Sequence, residues 1–495
     1  MFKLQGPALT WAITFCSTSA FFLIGYDQGV LGSIISTPNF LSTLHIDAND
    51  ANTISNIVSL YDIGNIGGCI LAILFGGRLG RKNMVYIGCS ILIAGAVIQT
   101  ASYSVAQLIV GRIVAGVGNG INTATIPTWV AETSQASQRG RLIATQLSMT
   151  ALGATLAYFI NYGFYHISGE IAWRFPIGFQ IVFALATLVC LPFLPESPRF
   201  LYARGRLAEA DEVMAALKGE DVNSEAVQYE RATILAAIAE EDLAGEYSLK
   251  TVFFDKSGQQ IPRRMALVVV IQVIQELSGT NIIVNYASNI LINIGLSHDL
   301  SLLLGGVVTL AFWLGSLAGI YLIEKVGRKM LLYSGTIPMF ISYIIYTLMV
   351  KDGRTEELWV AFAFLALIIA SFGWSWLSVA WVLGPELVPV RYRHVGGALN
   401  ALSNWTFVFV TVKIGPIGLA NLGWRFYIIF IIFTALQFPI VYFFIPETKG
   451  LSLEEIDLLF MKCPDHEQNA GKLDEEEVKE LENVITVTQV TRVTS

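Results

Sequence analysis

The sequence predicts an all-α membrane protein that crosses the bilayer twelve times. The chain has 495 residues, of which 54% are hydrophobic and 14% are charged, whereas soluble domains carry about 25% charged residues. One span takes about 20 apolar residues, so twelve spans would use about 240, close to the apolar total of about 267. The composition therefore favours a polytopic helical membrane protein over a soluble enzyme of two or three domains.

Hydropathy and glycine or proline punctuation place six predicted spans on each side of a charged central segment. The spans are 9–31, 54–75, 84–102, 107–129, 142–164, 173–194, 265–291, 301–323, 331–350, 358–382, 396–420 and 425–445. The predicted units are a six-helix bundle over 1–194, a linker with short helices over 195–264, a second six-helix bundle over 265–445 and a tail over 446–495. Lysine and arginine concentrate in loops 2–3, 4–5, 8–9 and 10–11, so we expect both termini and the linker in the cytoplasm.

Four short motifs recur in the same order in the two halves of the chain, at offsets of 247 to 254 residues. The pairs are Gly80-Arg81-Lys82 with Gly327-Arg328-Lys329, Glu132 and Arg139 with Glu386 and Arg393, Trp173-Arg174-Phe175 with Trp424-Arg425-Phe426, and Pro195-Glu196-Ser197 with Pro446-Glu447-Thr448. Parallel repeats of this kind describe one large class of transporters, in which the solute binds between the repeats near the membrane midplane. We therefore expect two bundles related by duplication around a central site.

These motifs resemble those of the sugar porter family of the major facilitator superfamily. Their particular residues are most similar to those of fungal proton-coupled sugar and polyol transporters. The resemblance extends from Gly25 to Gly450 and includes Gly111-Arg112 and the run Gln275-x-x-x-Gly279-x-Asn281. It implies the major facilitator fold and solute transport by alternating access.

Three ionisable residues in the predicted spans suggest a proton-coupling site, because charges inside a bilayer are costly and usually functional. Asp27 lies in span 1, Arg112 near the start of span 4 and Asp62 in span 2. A carboxylate changes its proton affinity when its distance from an arginine changes, so Asp27 with Arg112 could carry the proton; the alternative is a fixed buried pair. The resemblance implies the same role, since an acid at the Asp27 position marks proton-coupled members. Asp62 is a second candidate for the proton carrier. Its alternative role is that of an acid hydrogen-bonded at a helix end near the outer surface.

Span 7 is rich in polar side chains, and spans 10 and 11 add aromatic ones. Neutral hydrogen-bond partners and an aromatic face suit a sugar. The resemblance implies that most of these residues contact or gate the solute, although Leu147 and Phe312 stand where the family has a glutamine and an asparagine. Because these two polar side chains are absent, another sugar or a polyol remains an alternative to glucose as the solute. The candidates are Gln275, Glu276, Asn281, Asn285, Tyr286, Trp381, Asn404, Trp405 and, one residue before Leu147, Gln146.

Charged residues at the predicted cytoplasmic helix ends form the third candidate set. They are either topology signals and solvated loop charges, or a two-state ion-pair network that forms when the halves close at the cytoplasmic side. The network reading is favoured by the repetition, and the resemblance implies it. Gly77 stands where the C-terminal half has Glu324, so we expect a weaker network in the N-terminal half. The set is Arg81, Glu132, Arg139, Glu196, Glu324, Arg328, Glu386, Arg393 and Glu447.

The sequence therefore predicts a monomeric plasma-membrane symporter that moves protons with a small neutral polyhydroxylated solute, a monosaccharide such as a hexose or pentose. A polyol or oligosaccharide symporter, a proton-independent uniporter and, less favoured, a nutrient sensor are the alternatives. We expect no enzymatic activity, metal or cofactor, because the five histidines lie in loops or tails without metal-ligand spacing. The net charge of −7 comes largely from the polar segments and indicates no nucleic-acid partner.

Overall fold

A computed structural model of the chain describes residues 4–48, 50–134, 139–243, 260–352, 355–388, 392–449, 456 and 460. These residues form helices and connecting turns without a strand, which confirms the all-α prediction. The predicted tail beyond 460 lies outside this part. The helices are α1 Pro7–Ile34, α2 Pro38–Thr43, α3 Ala51–Leu79, α4 Arg81–Thr100, α5 Val105–Thr133, α6 Arg139–Tyr165, α7 Ile171–Cys190, α8 Pro198–Ala203, α9 Leu207–Lys218, α10 Glu225–Leu243, α11 Ile261–Glu276, α12 Thr280–Asn293, α13 His298–Lys325, α14 Arg328–Asp352, α15 Thr355–Trp374, α16 Trp376–Leu387, α17 Arg393–Leu422 and α18 Phe426–Phe443.

Ten helical segments of the described chain are long and apolar enough to cross a membrane. This set omits α5 and joins α17 to α18 as one segment. Helix α5 has 29 residues, enough to span, but it carries Arg112 and several glycines and polar residues. Helices α11 with α12, and α15 with α16, each form one interrupted span. The described helices are thus consistent with the twelve predicted spans.

The interruption between α11 and α12 has a clear local cause. Gly279 has a φ of 80°, a left-handed conformation that favours glycine. A Cβ at this position would lie 2.4 Å from the Phe430 ring. The Tyr343 hydroxyl donates to the Ser278 carbonyl at 2.7 Å, which supplies a partner where the helix ladder stops. Because of this break, the polar side chains at the end of α11 point in a different direction from those at the start of α12 than they would in a continuous helix.

Small residues bring the helices of the N-terminal half into close contact. A Cβ on Gly116 of α5 would lie 2.2 Å from the Tyr61 carbonyl of α3, and a Cβ on Gly25 of α1 would lie 1.7 Å from the Thr150 carbonyl of α6. Larger side chains at these glycines would force the helices apart. The close packing holds Arg112, on α5, directly against α3.

We call the face that carries Arg81 and Arg328 the basic face. Helices α8 to α10 lie there and form a small core of their own, and the N-terminus joins them through the Gly6 amide, which donates to the Ala216 carbonyl at 2.7 Å. The two halves meet along α6 with α13 and α3 with α17. Toward the opposite face, α12 packs on α1, and the Tyr158 hydroxyl donates to the Val284 carbonyl at 2.8 Å.

Candidate functional site

A cavity of about 70 Å³ lies between the two halves, near the middle of the bundle. Six of the nine candidate solute residues line it, and the apolar remainder of the wall includes aromatic and aliphatic side chains from both halves. The predicted residues on its wall are Gln275, Glu276, Asn281, Trp381, Asn404 and Trp405. The cavity combines hydrogen-bonding groups with an aromatic surface, as a polyhydroxylated solute requires.

Glu276 is the centre of a buried hydrogen-bond network beside the helix break. Its side chain is 2% exposed. One carboxylate oxygen accepts from Asn404 Nδ2 at 2.7 Å, and the other accepts from Asn281 Nδ2. Gln272 Oε1 also accepts from Asn404, at 3.0 Å. The carboxyl group is thus held by two amides and, within the described chain, has no cation within ion-pair distance.

Gln275 presents an unused acceptor to the cavity. Its Nε2 donates to the Trp376 carbonyl at 3.4 Å, whereas its Oε1 is buried without a hydrogen-bond partner. A buried polar atom without a partner costs free energy. A solute hydroxyl that donates to this oxygen would remove that cost, which makes Gln275 the best-placed acceptor for recognition.

Three candidate solute residues do not line the cavity. Gln146 points to α1, where its Nε2 donates to Ser17 Oγ at 3.0 Å, and Leu147 lines the wall instead. Asn285 Nδ2 bonds the Asn281 carbonyl at 2.9 Å, and the Tyr286 hydroxyl bonds the Val412 carbonyl at 3.2 Å. Adjacent helix positions point about 100° apart, so one residue decides which side chain faces the solute.

Several lining residues were missed by the sequence reading. Gln28, next to Asp27, had a signal, because it is an amide inside a largely apolar span. The other polar ones are threonines, whose type and spacing do not separate them from packing residues. They are Thr123, Thr150 and Thr280.

Asp27 and Arg112 form an ion pair at 2.8 Å, and both side chains are 1% exposed. Arg112 also donates to two carbonyls of α3, those of Ile57 at 3.3 Å and Val58 at 3.4 Å, and it lies 4.2 Å from the centre of the Tyr61 ring. The guanidinium therefore has several partners in addition to the Asp27 carboxylate.

Aromatic contacts connect this ion pair to the cavity. The Tyr61 ring, beneath Arg112, meets the Trp405 ring edge-on with centroids 6.3 Å apart. Trp405 lines the cavity and donates from Nε1 to Thr123 Oγ1 of the other half at 3.1 Å. Two ring contacts thus join Arg112 to the cavity wall.

Asp62 is buried on α3 and, in the described part of the chain, forms no direct ion pair with Arg112. It is 3% exposed, and Asn65 Nδ2 donates to it at 3.5 Å. Asn65 in turn accepts from Asn119 Nδ2 at 2.8 Å. Asp62 thus belongs to a polar chain between α3 and α5 and does not line the cavity.

The charged residues of the basic face pair inside their own halves. In the N-terminal half, Arg81 donates twice to Glu132, at 2.9 and 2.8 Å. In the C-terminal half, Arg328 donates to Glu386 at 3.0 Å and lies 3.9 Å from Glu324. Each pair lies within one half, because each arginine starts a helix directly beside the acid of its own bundle.

Glu324 reaches the other half, since a Cβ on Gly140 would lie 2.7 Å from its Oε1. The side chains of Arg139 and Arg393, the two remaining members of the predicted network, lie outside the described part of the chain. The two-state network stays a prediction, and among its described members Glu324 reaches the other half.

Glu196 and Glu447 occupy equivalent places but differ in electrostatics. Glu196 accepts from the backbone amides of Arg81 and Lys82 at 3.1 Å each, and Glu447 accepts from those of Arg328 and Lys329 at 3.0 Å each. Burial raises the pKa of Glu196 above its ordinary value. Burial also acts to raise the pKa of Glu447 and is the largest single influence on it. The backbone hydrogen bonds together outweigh burial, so the pKa of Glu447 lies below its ordinary value.

Residues 11–460 match the family described as "Sugar (and other) transporter". Two curated relatives are 35% identical: the MFS-type transporter oryC of Aspergillus oryzae, over 94% of this chain and 87% of that protein, and Sugar transporter STL1 of Saccharomyces cerevisiae, over 93% and 83%. Among solved structures, the proton:xylose symporter XylE bound to 6-bromo-6-deoxy-D-glucose has a TM-score of 0.78 at 24% identity, covering 91% of this chain and 99% of that one. The family resemblance is confirmed: the chain belongs to the sugar porter family of the major facilitator superfamily and is a multi-pass membrane transporter, not an enzyme.

Proposed function

We propose that the protein is a proton-coupled symporter of a small neutral polyhydroxylated solute, with a monosaccharide as the first candidate. The observation that carries the proposal is the buried Asp27–Arg112 pair, which is connected through Tyr61 and Trp405 to the central cavity. The relative XylE, which shares the fold, is described as a proton:xylose symporter.

Protonation of Asp27 would neutralise its carboxylate and so weaken its attraction for Arg112. Arg112 would then move toward its other partners. The carbonyls of Ile57 and Val58 and the Tyr61 ring remain within reach of the guanidinium. Arg112 would then shift, and with it the ring contacts that end at Trp405. Proton binding and the shape of the cavity become linked because the same arginine takes part in both.

The proton gradient supplies enough energy for accumulation of a neutral solute. One charge moving through 100 mV gives about 2.3 kcal/mol, and one pH unit gives about 1.4 kcal/mol. Each 1.4 kcal/mol supports roughly tenfold accumulation. One proton for each solute molecule therefore suffices for uphill uptake.

The test is uphill uptake in cells that lack other transporters for the solute. We expect the wild type to concentrate the solute and to take up protons with it, and Asp27→Asn to exchange solute without concentrating it. Asp50→Asn is the matched control, because Asp50 caps α3 at an exposed position. Intact accumulation in Asp27→Asn would reject Asp27 as the carrier, and a wild type that never exceeds equilibrium would indicate a uniporter.

The identity of the solute needs a panel of labelled hexoses, pentoses, oligosaccharides and polyols. Leu147 and Phe312 make two parts of the cavity wall apolar, so we expect a solute with fewer hydroxyl contacts on those sides. Transport of a polyol or an oligosaccharide in preference to all monosaccharides would replace the first candidate.

We further infer a monomer in the plasma membrane with both termini in the cytoplasm. The arginines and lysines concentrated on the basic face support this orientation. Protease accessibility of a C-terminal tag in intact and opened cells tests it: a tag that is cleaved from outside would reverse the orientation.

A further inference from the structure

A second cavity lies on the basic face, at the edge of the N-terminal half, and shares no lining residue with the central cavity. Its volume is about 490 Å³, and it lies between the α3–α4 turn and helix α8. Arg78 and Lys82 line it from the turn, and Arg204 and Arg206 line it from the segment after α8. Four basic side chains from two separate elements thus surround one space.

Nearby carboxylates neutralise only part of this cluster. Arg206 pairs with Glu209, and Glu196 lines the cavity with its oxygens bound to backbone amides. Across the described ranges, no carboxylate lies within 4.0 Å of the charged groups of Arg78, Lys82 or Arg204, and Lys82 and Arg204 donate instead to backbone carbonyls. The cavity therefore offers positive charge and free donors to an anion.

The equivalent region of the C-terminal half differs in its charged residues. Gly77, beside the cavity, corresponds at the 247-residue offset to Glu324, which lies 3.9 Å from Arg328. In the N-terminal half, the backbone carbonyl of Gly77 accepts from Arg204 at 2.7 Å. At this position the N-terminal half therefore lacks the acid that the C-terminal half has.

The cavity lies at the boundary of the apolar surface of the bundle. Leu74 and Phe75 on α3 are 60% and 43% exposed, as expected for side chains that face lipid. Arg78 follows Leu74 by four residues and so lies on the same side of the helix. An arginine one turn beyond a lipid-facing stripe is at the level of the phospholipid headgroups.

We propose that this cavity binds the phosphate group of an anionic phospholipid. The planar guanidinium groups of Arg78 and Arg204 suit the oxygens of a phosphate, which accept paired hydrogen bonds. Lys82 adds a third cation and Arg206 a fourth at the rim. A soluble phosphate ester carries the same chemical group, so the experiment has to separate the two sources.

The experiment measures binding to the purified full-length protein in a neutral detergent. The probes are dioctanoyl phosphatidic acid, dioctanoyl phosphatidylcholine, glycerol 3-phosphate and inorganic phosphate. We expect saturable binding of phosphatidic acid that is roughly thirtyfold weaker in Arg78→Gln/Arg204→Gln, because each basic residue near the headgroup contributes roughly a fivefold factor. The matched control Lys325→Gln/Lys449→Gln, in the other half, should bind as the wild type does.

Unchanged affinity in the double variant, or an equal loss in the control, would overturn the proposal. Equally tight binding of glycerol 3-phosphate and phosphatidic acid would reject the lipid as the source. Arg78 and Arg204 are exposed, so both single variants can replace the double one if it does not elute as a single species. Arg78→Lys/Arg204→Lys keeps the charge, and its affinity should lie between those of the wild type and the glutamine variant.

Discussion

Each half of the molecule buries a carboxylate near the centre of the bundle, but the two carboxylates are balanced in different ways. Asp27 in the N-terminal half pairs with Arg112 at 2.8 Å, whereas Glu276 in the C-terminal half is held by the amides of Asn281 and Asn404. A paired carboxylate changes its proton affinity when the arginine moves. A carboxylate held by amides beside a cavity offers strong acceptors to hydroxyls. The duplicated scaffold thus holds one buried carboxylate by a cation and the other by amides.

Removal of the arginine should have the largest effect. Arg112→Ala leaves Asp27 buried without a cation, which costs about 3–5 kcal/mol, and we expect lost transport and a large fall in the melting temperature of the detergent-solubilised protein. The neutral double variant Asp27→Asn/Arg112→Leu should recover much of the stability but no coupled transport. A stable Arg112→Ala single variant would show that the pair does not balance buried charge.

Glu276→Gln should have a smaller effect that falls on solute binding. Glutamine keeps the shape and one acceptor, but it loses the second acceptor oxygen, and a buried donor left without its acceptor costs about 1–3 kcal/mol. We expect the KM for the transported solute to rise by about tenfold or more, with coupling retained. Uptake measured over a range of solute concentrations checks it, and an unchanged KM would separate Glu276 from solute recognition.

The sequence was sufficient for the spans and their repeat, because apolar length and recurring motifs are local properties. It could not fix the direction of single side chains. Gln146 and Leu147 are neighbours, yet only Leu147 faces the cavity, and the amide packs against α1. Asn285 and Tyr286 follow a helix break whose angle the residues alone do not set. Their side chains bond backbone carbonyls instead of lining the cavity.

The charge pattern identified candidates for ion pairs on the basic face without showing which of them contact each other. Arg81 and Glu132 both lie in the predicted N-terminal bundle, 51 residues apart. The structure pairs them because α4 and α5 pack directly on each other. That contact depends on helix packing, which the motif alone does not give.

The two Arg–Glu pairs of the basic face allow a matched test of the halves. Glu132→Gln removes the carboxylate that receives both side-chain bonds of Arg81 and should cost about 1–3 kcal/mol. Glu386→Gln should cost less, because Arg328 keeps Glu324 at 3.9 Å. Thermal unfolding of both variants measures the difference, and an equal loss would show that Glu324 adds nothing.

The smallest expected effect is a difference in pH dependence between Glu196 and Glu447. The raised pKa of Glu196 means that its folded form favours the proton, so its contribution to stability is lost as pH rises through that pKa. The lowered pKa of Glu447 has the opposite sign, and its contribution is lost as pH falls through the lowered value. Both glutamine variants lose a similar backbone hydrogen bond, so the difference between them reports charge. At neutral pH we expect Glu447→Gln to be the less stable, and the gap between the melting temperatures should close toward about pH 4. A gap that stays constant with pH would mean that packing, and not ionisation, distinguishes the two positions.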